Sequence, residues 1–294
     1  MKKTRRYAPY LFIAPALLVL LFCSIIPILL TFGISFTNLS MSQLGNWDLL
    51  RFTGFHNYAE VFSDKVFVKS ISNTFYYVLA GVPMVIIVSF ILAWLIHAGG
   101  EKKLYSFFRA VFYSPSVTNM VAISIVWLYL YNPSIGLFNE ILGFFGAKPV
   151  LWLQDPKVAK NALLILSVWK NMGINMLIFL AALQSVPKEL YEASSLDGAG
   201  RITQLFRITI PNIKFSVFFV MVTTLIGWFQ YFEEPYVMTE GGPLNSTISM
   251  TQYIYKAGFV GNRFGQAAAA SAILFVFIFT ATMIQQRVQA RSDK

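Results

Sequence analysis

The chain has 294 residues, 56% of them hydrophobic and only 12% charged, and 23 Lys and Arg against 13 Asp and Glu give a formal charge of +10. A soluble domain carries about 25% charged residues, and several apolar runs here reach the roughly 20 residues that span a hydrocarbon core. The composition excludes a pair of soluble domains, predicts an all-α polytopic membrane protein, and leaves no need for nucleic acid to explain the charge.

Six spans are expected, over residues 9–36, 73–97, 111–131, 162–183, 213–232 and 267–286. The first follows Lys2, Lys3, Arg5 and Arg6. Its apolar run is too long for a signal-peptide core and ends without a small-residue cleavage site, so a retained helix is expected. The single cysteine, Cys23, lies in this run and has no internal partner for a disulfide. Pro15, Pro27, Pro83 and Pro115 fall within or near spans, where neighbouring helices tolerate kinks. Trp127, Tyr129 and Tyr131 close the third span, and Trp228, Tyr231 and Phe232 the fifth, as aromatic belts do.

The fourth span carries Trp169 and Lys170. An intramembrane Lys either faces a functional cavity or snorkels to the headgroups, and the sequence leaves both open. On the fifth span Thr224, Gly227, Trp228 and Tyr231 share one helical face, which reads as core, belt or pathway lining. Glu233 and Glu234 follow, at an expected outer edge. The sixth span opens with the small residues Gly265 to Ala272, expected to pack closely against another helix.

Lys and Arg placement orients the spans. The N-terminus, the loop after span two (Lys102, Lys103, Arg109), the loop after span four (Lys188, Arg201, Arg207, Lys214) and the tail (Arg287, Arg291, Lys294) hold fourteen basic residues. The three opposite loops hold eight over longer stretches, so both termini are expected in the cytosol. No Gly-Lys pair occurs, so a Walker A loop is absent. His56 and His97 lie far apart, without zinc spacing, and no G-x-S-x-G elbow is present.

The most polar interruption falls between spans four and five. Pro187 is placed to start a short helix, Glu189 and Glu192 sit near its positive end, and Asp197-Gly198 stops it by about residue 196. Such a helix is marginal alone in water and needs something to pack against. Glu192-Ala193-Ser194, then Asp197-Gly198, then Ile208 and Pro211 resemble the EAA loop of binding-protein-dependent ABC importer permeases. Ser194 stands for the family's third Ala and Ile210 for its Leu. Phe55-His56-Asn57-Tyr58 with Asn73-Thr74, and Thr239-Glu240-Gly241-Gly242-Pro243 with Thr247, are similar to two further motifs of the maltose and glycerol-phosphate branch.

The resemblance implies a six-helix permease fold and a coupling role for Glu192, Ala193, Ser194, Asp197, Gly198, Ile208 and Pro211. It implies no catalytic residue, metal or cofactor in this chain, ATP and Mg being bound by a partner. The implied partners are a second permease, two ATPase subunits, an extracytoplasmic solute-binding protein, a sugar and the lipid bilayer. Related permeases line their sugar site with the helix after the EAA loop, which raises Thr224, Gly227, Trp228 and Tyr231 as pathway candidates beside Trp169 and Lys170 of the fourth span. The implied organisation is a first helix over 1–36, an outer loop over 37–69, a core over 70–287 with its coupling loop over 184–212, and a tail over 288–294. A non-sugar cargo is the nearer alternative and an ion-coupled secondary transporter the farther one, since the spans offer almost no buried acid or His.

Overall fold

The computed structural model describes residues 2–100 and 103–292 and is helical among them, apart from one isolated bridge between Thr37 and Phe52. Lys102 and Lys294 of the charge count lie outside the described residues, as do the side chains of Lys2, Lys3, Arg5 and Arg6. Five described helices are long and apolar enough to cross a membrane: Phe12–Ile34, Lys65–Ala98, Ala159–Gln184, Lys214–Thr239 and Phe264–Arg291. The bent pair Lys103–Val117 and Met120–Leu130 is apolar enough to count as a sixth when its halves are taken together.

Three expected spans lie inside these helices and two overhang theirs by one to three residues, but the uninterrupted third span over 111–131 does not form. The chain turns by 101° between its two halves. Pro115 lies in the last turn of the first half. Asn119 then caps the second, its side chain accepting from the Val121 N–H at 2.8 Å. Composition is blind to that turn, because the two halves taken together are apolar enough to cross a membrane. In the first span a π-helical turn over Leu21–Ile25 precedes Pro27, whose ring brings no N–H to the ladder. Pro83, by contrast, lies within the unbroken helix Lys65–Ala98.

The belt reading fails for four aromatic residues. Trp127, Tyr131, Trp228 and Tyr231 are buried inside the protein, and only Tyr129 of the third-span set is exposed. Trp127, Tyr131, Trp152 and Phe138 form an interlocked aromatic cluster with centroid separations of 5.2–6.0 Å. Asn139 ties the loop beside it, accepting from the Val150 N–H and Trp152 Nε1 and donating to the Val150 carbonyl, each at 3.0 Å. Amphipathic rings suit either setting, so their presence near a helix end does not choose between them.

The helices sort into two compact units. The first takes the chain up to Val68 together with Tyr253–Phe277. Within it Ala268, Ala269, Ala270 and Ala272 are buried, as the small-residue run predicts. A Cβ on Gly265 would lie 2.3 Å from the Thr37 carbonyl oxygen, so that approach requires glycine. Asn57 donates to the carbonyls of Ser35 and Thr37 at 2.8 and 2.7 Å, satisfying groups that the end of the first helix leaves open. Tyr253 donates to Asp64 at 2.8 Å, and burial together with that carboxylate holds its hydroxyl above the ordinary tyrosine range.

The second unit takes Lys69–Gln252 and the segment from Ile278 on. Its core is built around Met176, Phe179, Leu180 and Leu183 of the helix Ala159–Gln184, packed with Ala93, Ile96, Ile213 and Val220. Gly173 lets this helix cross Lys103–Val117 closely, since a Cβ there would meet the Phe112 carbonyl at 2.2 Å. The loop that follows Glu233–Thr239 is fastened from the helix Lys65–Ala98. Asn73 donates to the carbonyls of Asn245 and Ile248 at 3.0 and 2.9 Å, and Tyr77 to that of Thr247 at 3.1 Å. The Met250 N–H donates to Thr74 Oγ1 at 2.9 Å. Thr247 closes the loop on itself through Thr239 Oγ1 and the Gly242 carbonyl. Asn73→Ala leaves two buried carbonyls without a donor, at about 1–3 kcal/mol each. A lowered melting temperature of the detergent-purified protein is the expected result, and an unchanged one contradicts this account of the loop.

Candidate functional site

In the second unit a cavity of about 650 Å³ lies between the helices Ala159–Gln184 and Lys214–Phe229 and the start of Glu233–Thr239. One wall is Lys170, Asn171, Ile174, Asn175 and Ile178, a stripe at helical spacing. The other includes Thr223, Thr224, Gly227, Trp228, Tyr231, Glu233 and Glu234. Its volume is that of a small-molecule site, and apolar walls with a few polar groups are the usual lining.

Lys170 lines this cavity. Its Nζ donates to Glu233 Oε2 at 3.2 Å. Glu233 is exposed, so the pair contributes little stability. Glu234 is buried, 6% exposed, and lines the same cavity. Sequence reasoning also passed over Asn171 and Asn175, although two amides four residues apart in an apolar span were a signal of a shared face.

The fifth-span stripe divides between packing and opening. Trp228 is buried and stacked on Tyr231 with centroids 5.2 Å apart, and its ring would lie 2.6 Å from a Cβ added to Gly81. Tyr231 is fixed in turn by Ser167, its hydroxyl 2.6 Å from the serine Oγ. Thr224 is buried as well. Gly227 is the open position, with nothing within 4 Å of an added Cβ. Trp169 is not gathered with the others: it packs on Trp127 at 5.4 Å and lines a separate cleft with Pro115 and Thr118.

The short polar helix runs Lys188–Leu196, with Pro187 at its N-cap rather than within its first turn. It ends as a Schellman motif. The Ala199 N–H donates to the Ser194 carbonyl at 2.9 Å, the Gly198 N–H to that of Ser195 at 3.1 Å, and Gly198 has φ +78°. A β-carbon at that dihedral costs roughly 1–2 kcal/mol. Tyr191 packs against the core of the unit and its hydroxyl lies 3.0 Å from Thr209 Oγ1. Gln204 Nε2 lies 3.0 Å from Ser194 Oγ and 2.9 Å from Ser195 Oγ. Serine in place of the motif's third alanine thus gives the loop an internal tie. Ile208 packs on the core, and Pro211 is exposed in the turn Ile210–Asn212.

The other side of this helix is uncovered among the described residues. Glu192, Ala193 and Asp197 are exposed, and Leu196, Ile202 and Phe206 present apolar side chains to solvent, Leu196 at 91%. Clustered exposed apolar groups of this kind mark an interaction surface. Among the described residues no three His, Cys, Asp or Glu side chains are grouped to hold a metal ion.

Spans enclosing a polar cavity, with an exposed helix between two of them, define a membrane permease subunit. The chain belongs to the binding-protein-dependent transport system inner membrane component family, whose model matches residues 58–294. It is 33% identical to the probable ABC transporter permease protein YurN of Bacillus subtilis over 98% of this chain and 97% of that one. It is 32% identical to the lactose transport system permease protein LacF of Rhizobium radiobacter over 94% and 92%. A chain of the bacterial alginate ABC transporter, crystallised with an alginate pentasaccharide-bound periplasmic protein, shares the fold at a TM-score of 0.80, with 22% identity over 100% of this chain and 97% of that one.

Two glycines facing opposite circumstances test this geometry. Gly81→Leu drives a side chain into the Trp228 ring and lowers thermal stability in detergent, as overpacking does by about 1–3 kcal/mol. Gly227→Leu enters open space and leaves the melting temperature unchanged or higher, since leucine favours helix over glycine by up to about 1 kcal/mol.

Proposed function

We propose that the chain is one transmembrane subunit of an ATP-driven ABC importer, forming with a second, similar permease the pathway for a sugar or related polyol. The cavity beside Lys170 and Gly227 is the observation that carries this reading, because it sets amides, hydroxyls and a charge among apolar spans. The cargo class rests on the relative LacF, a lactose transport system permease. A solute-binding protein delivers the cargo on the outer side. Both termini and the helix Lys188–Leu196 face the cytosol, in keeping with the excess of Lys and Arg on those segments.

Two ATPase subunits, which bind ATP and Mg, dock on the exposed helices of the two permeases. Glu192, Ala193 and Asp197 meet the ATPase directly. Gly198 ends the helix, Ser194 ties it within the loop, Ile208 packs on the core behind it, and Pro211 shapes the turn that leads into the helix Lys214–Phe229. ATP binding then favours one of two gate states through its differential contacts with them. Trp228, Tyr231 and Thr224 shape the wall of the pathway, and Lys170 and Gly227 face its lumen. The structure brings Trp169 to the other side of its helix, so its part is to support that helix.

A mild-detergent pull-down from the native membrane tests the assembly: a Walker A ATPase and a second permease are expected, and recovery of this chain alone counts against it. Gly227→Leu, which narrows the lumen, is expected to cut uptake at least tenfold in a complex that still purifies whole. Gly198→Asp is expected to leave ATP hydrolysis while abolishing uptake, and normal uptake by that variant removes the coupling role.

A further inference from the structure

The charges on the cavity wall are unequal. Among the described residues its lining holds one cation, Lys170, and two carboxyl groups, Glu233 and Glu234. The cation is already engaged, with Nζ 3.2 Å from Glu233 Oε2, and its side chain is only 16% exposed. A phosphate, sulfonate or carboxylate is recognised by donors whose charge is uncompensated, most often several together. Here an arriving anion has to displace Glu233 from Lys170 and then lie beside Glu234, which is buried in the same wall. Glu233 meets such an anion with like charge beside Lys170, and an arrangement of this kind selects against a ligand as a clash does. An uncharged hydroxylated molecule meets no such opposition. Asn171, Asn175, Thr223 and Gln230 offer it neutral donors and acceptors along both walls.

Resting on the reading of this cavity as the cargo site, we infer that it takes uncharged sugars and polyols and rejects their uronate, phosphate and sulfonate counterparts. The Lys170–Glu233 pair is the specificity element: Glu233 neutralises the one group that would otherwise attract an anion. Lys170 in turn presents the remaining N–H donors of its ammonium to hydroxyl oxygens.

The test uses the whole transporter complex in lipid nanodiscs, without the binding protein, so that the permease cavity alone discriminates. Matched probes are lactose with lactobionate, galactobiose with digalacturonate, and glycerol with glycerol 3-phosphate. Within each pair that binds, the uncharged member is expected to bind at least tenfold more tightly. Glu233→Gln releases Lys170 and is expected to shrink that ratio at least tenfold, while Glu233→Asp, which keeps the charge, preserves it. An anion that binds the unaltered complex as tightly as its uncharged partner overturns the inference, and so does a ratio indifferent to Glu233→Gln. Those two results leave the cavity a cargo site. Failure of every probe to bind a complex that still hydrolyses ATP removes the cargo site itself, and the charge inference with it.

Discussion

A main-chain carbonyl or amide buried away from water has to find a partner inside the protein, and within a helix the ladder supplies it. The demanding places are those where this chain leaves a helix but stays buried. There the partners are short polar side chains reaching across: Asn57 to Ser35 and Thr37, Asn73 to Asn245 and Ile248, Asn139 to Val150. Thr74 and Tyr77 add two more bonds to the same returning loop. The helix Lys65–Ala98 thereby holds a segment about 170 residues away in sequence, and the fold of the second unit depends on those few bonds as much as on its apolar packing. The two outer motifs of the sequence, one holding Asn57, Asn73 and Thr74 and the other Thr239 and Thr247, both serve this requirement.

Much of this was legible beforehand, for physical reasons that differ by element. Apolar length revealed the spans because a hydrocarbon core sets a minimum that chance rarely meets. The turn at Asn119 stayed hidden because its signals, one proline and one asparagine, are common in unbroken membrane helices too. Trp127, Tyr131, Trp228 and Tyr231 were misplaced because a ring with a polar tip satisfies the interface and a hydrogen-bonded core equally well. The burial of Glu234 was not visible because a carboxylate next to another at a helix start looks solvated, and only packing distinguishes the buried member of the pair.

The candidate site shows the same division. Spacing alone located the exposed helix, its glycine stop and its proline. Lys170 was visible as an anomaly, but its direction was not, since one helical turn separates a headgroup from a cavity. Gly227 appeared only as one position of a stripe, and the structure shows it to be the unfilled one. Trp169 shares a sequence neighbourhood with Lys170 yet lies on another face, as adjacent residues on a helix do. Gln204, which secures the exposed helix through two serines, carried no signal at all, because its partners lie nine and ten residues away across a loop.

The helix Ala159–Gln184 carries Lys170 near its middle and ends three residues before the exposed helix begins. At 1.5 Å per residue, about 21 Å of continuous rod separates Lys170 from Gln184. Tyr191 and Ile208 press the exposed segment onto the core around that rod. The helix Lys214–Phe229, the opposite wall of the cavity, starts just beyond the same segment. This part of the second unit is therefore built like a pair of tongs, with a handle formed by the polar loop and jaws formed by the two walls. Because α-helices are stiff along their length, a tilt of about 5° at the handle moves the jaw by about 2 Å over that 21 Å arm, without melting a single turn.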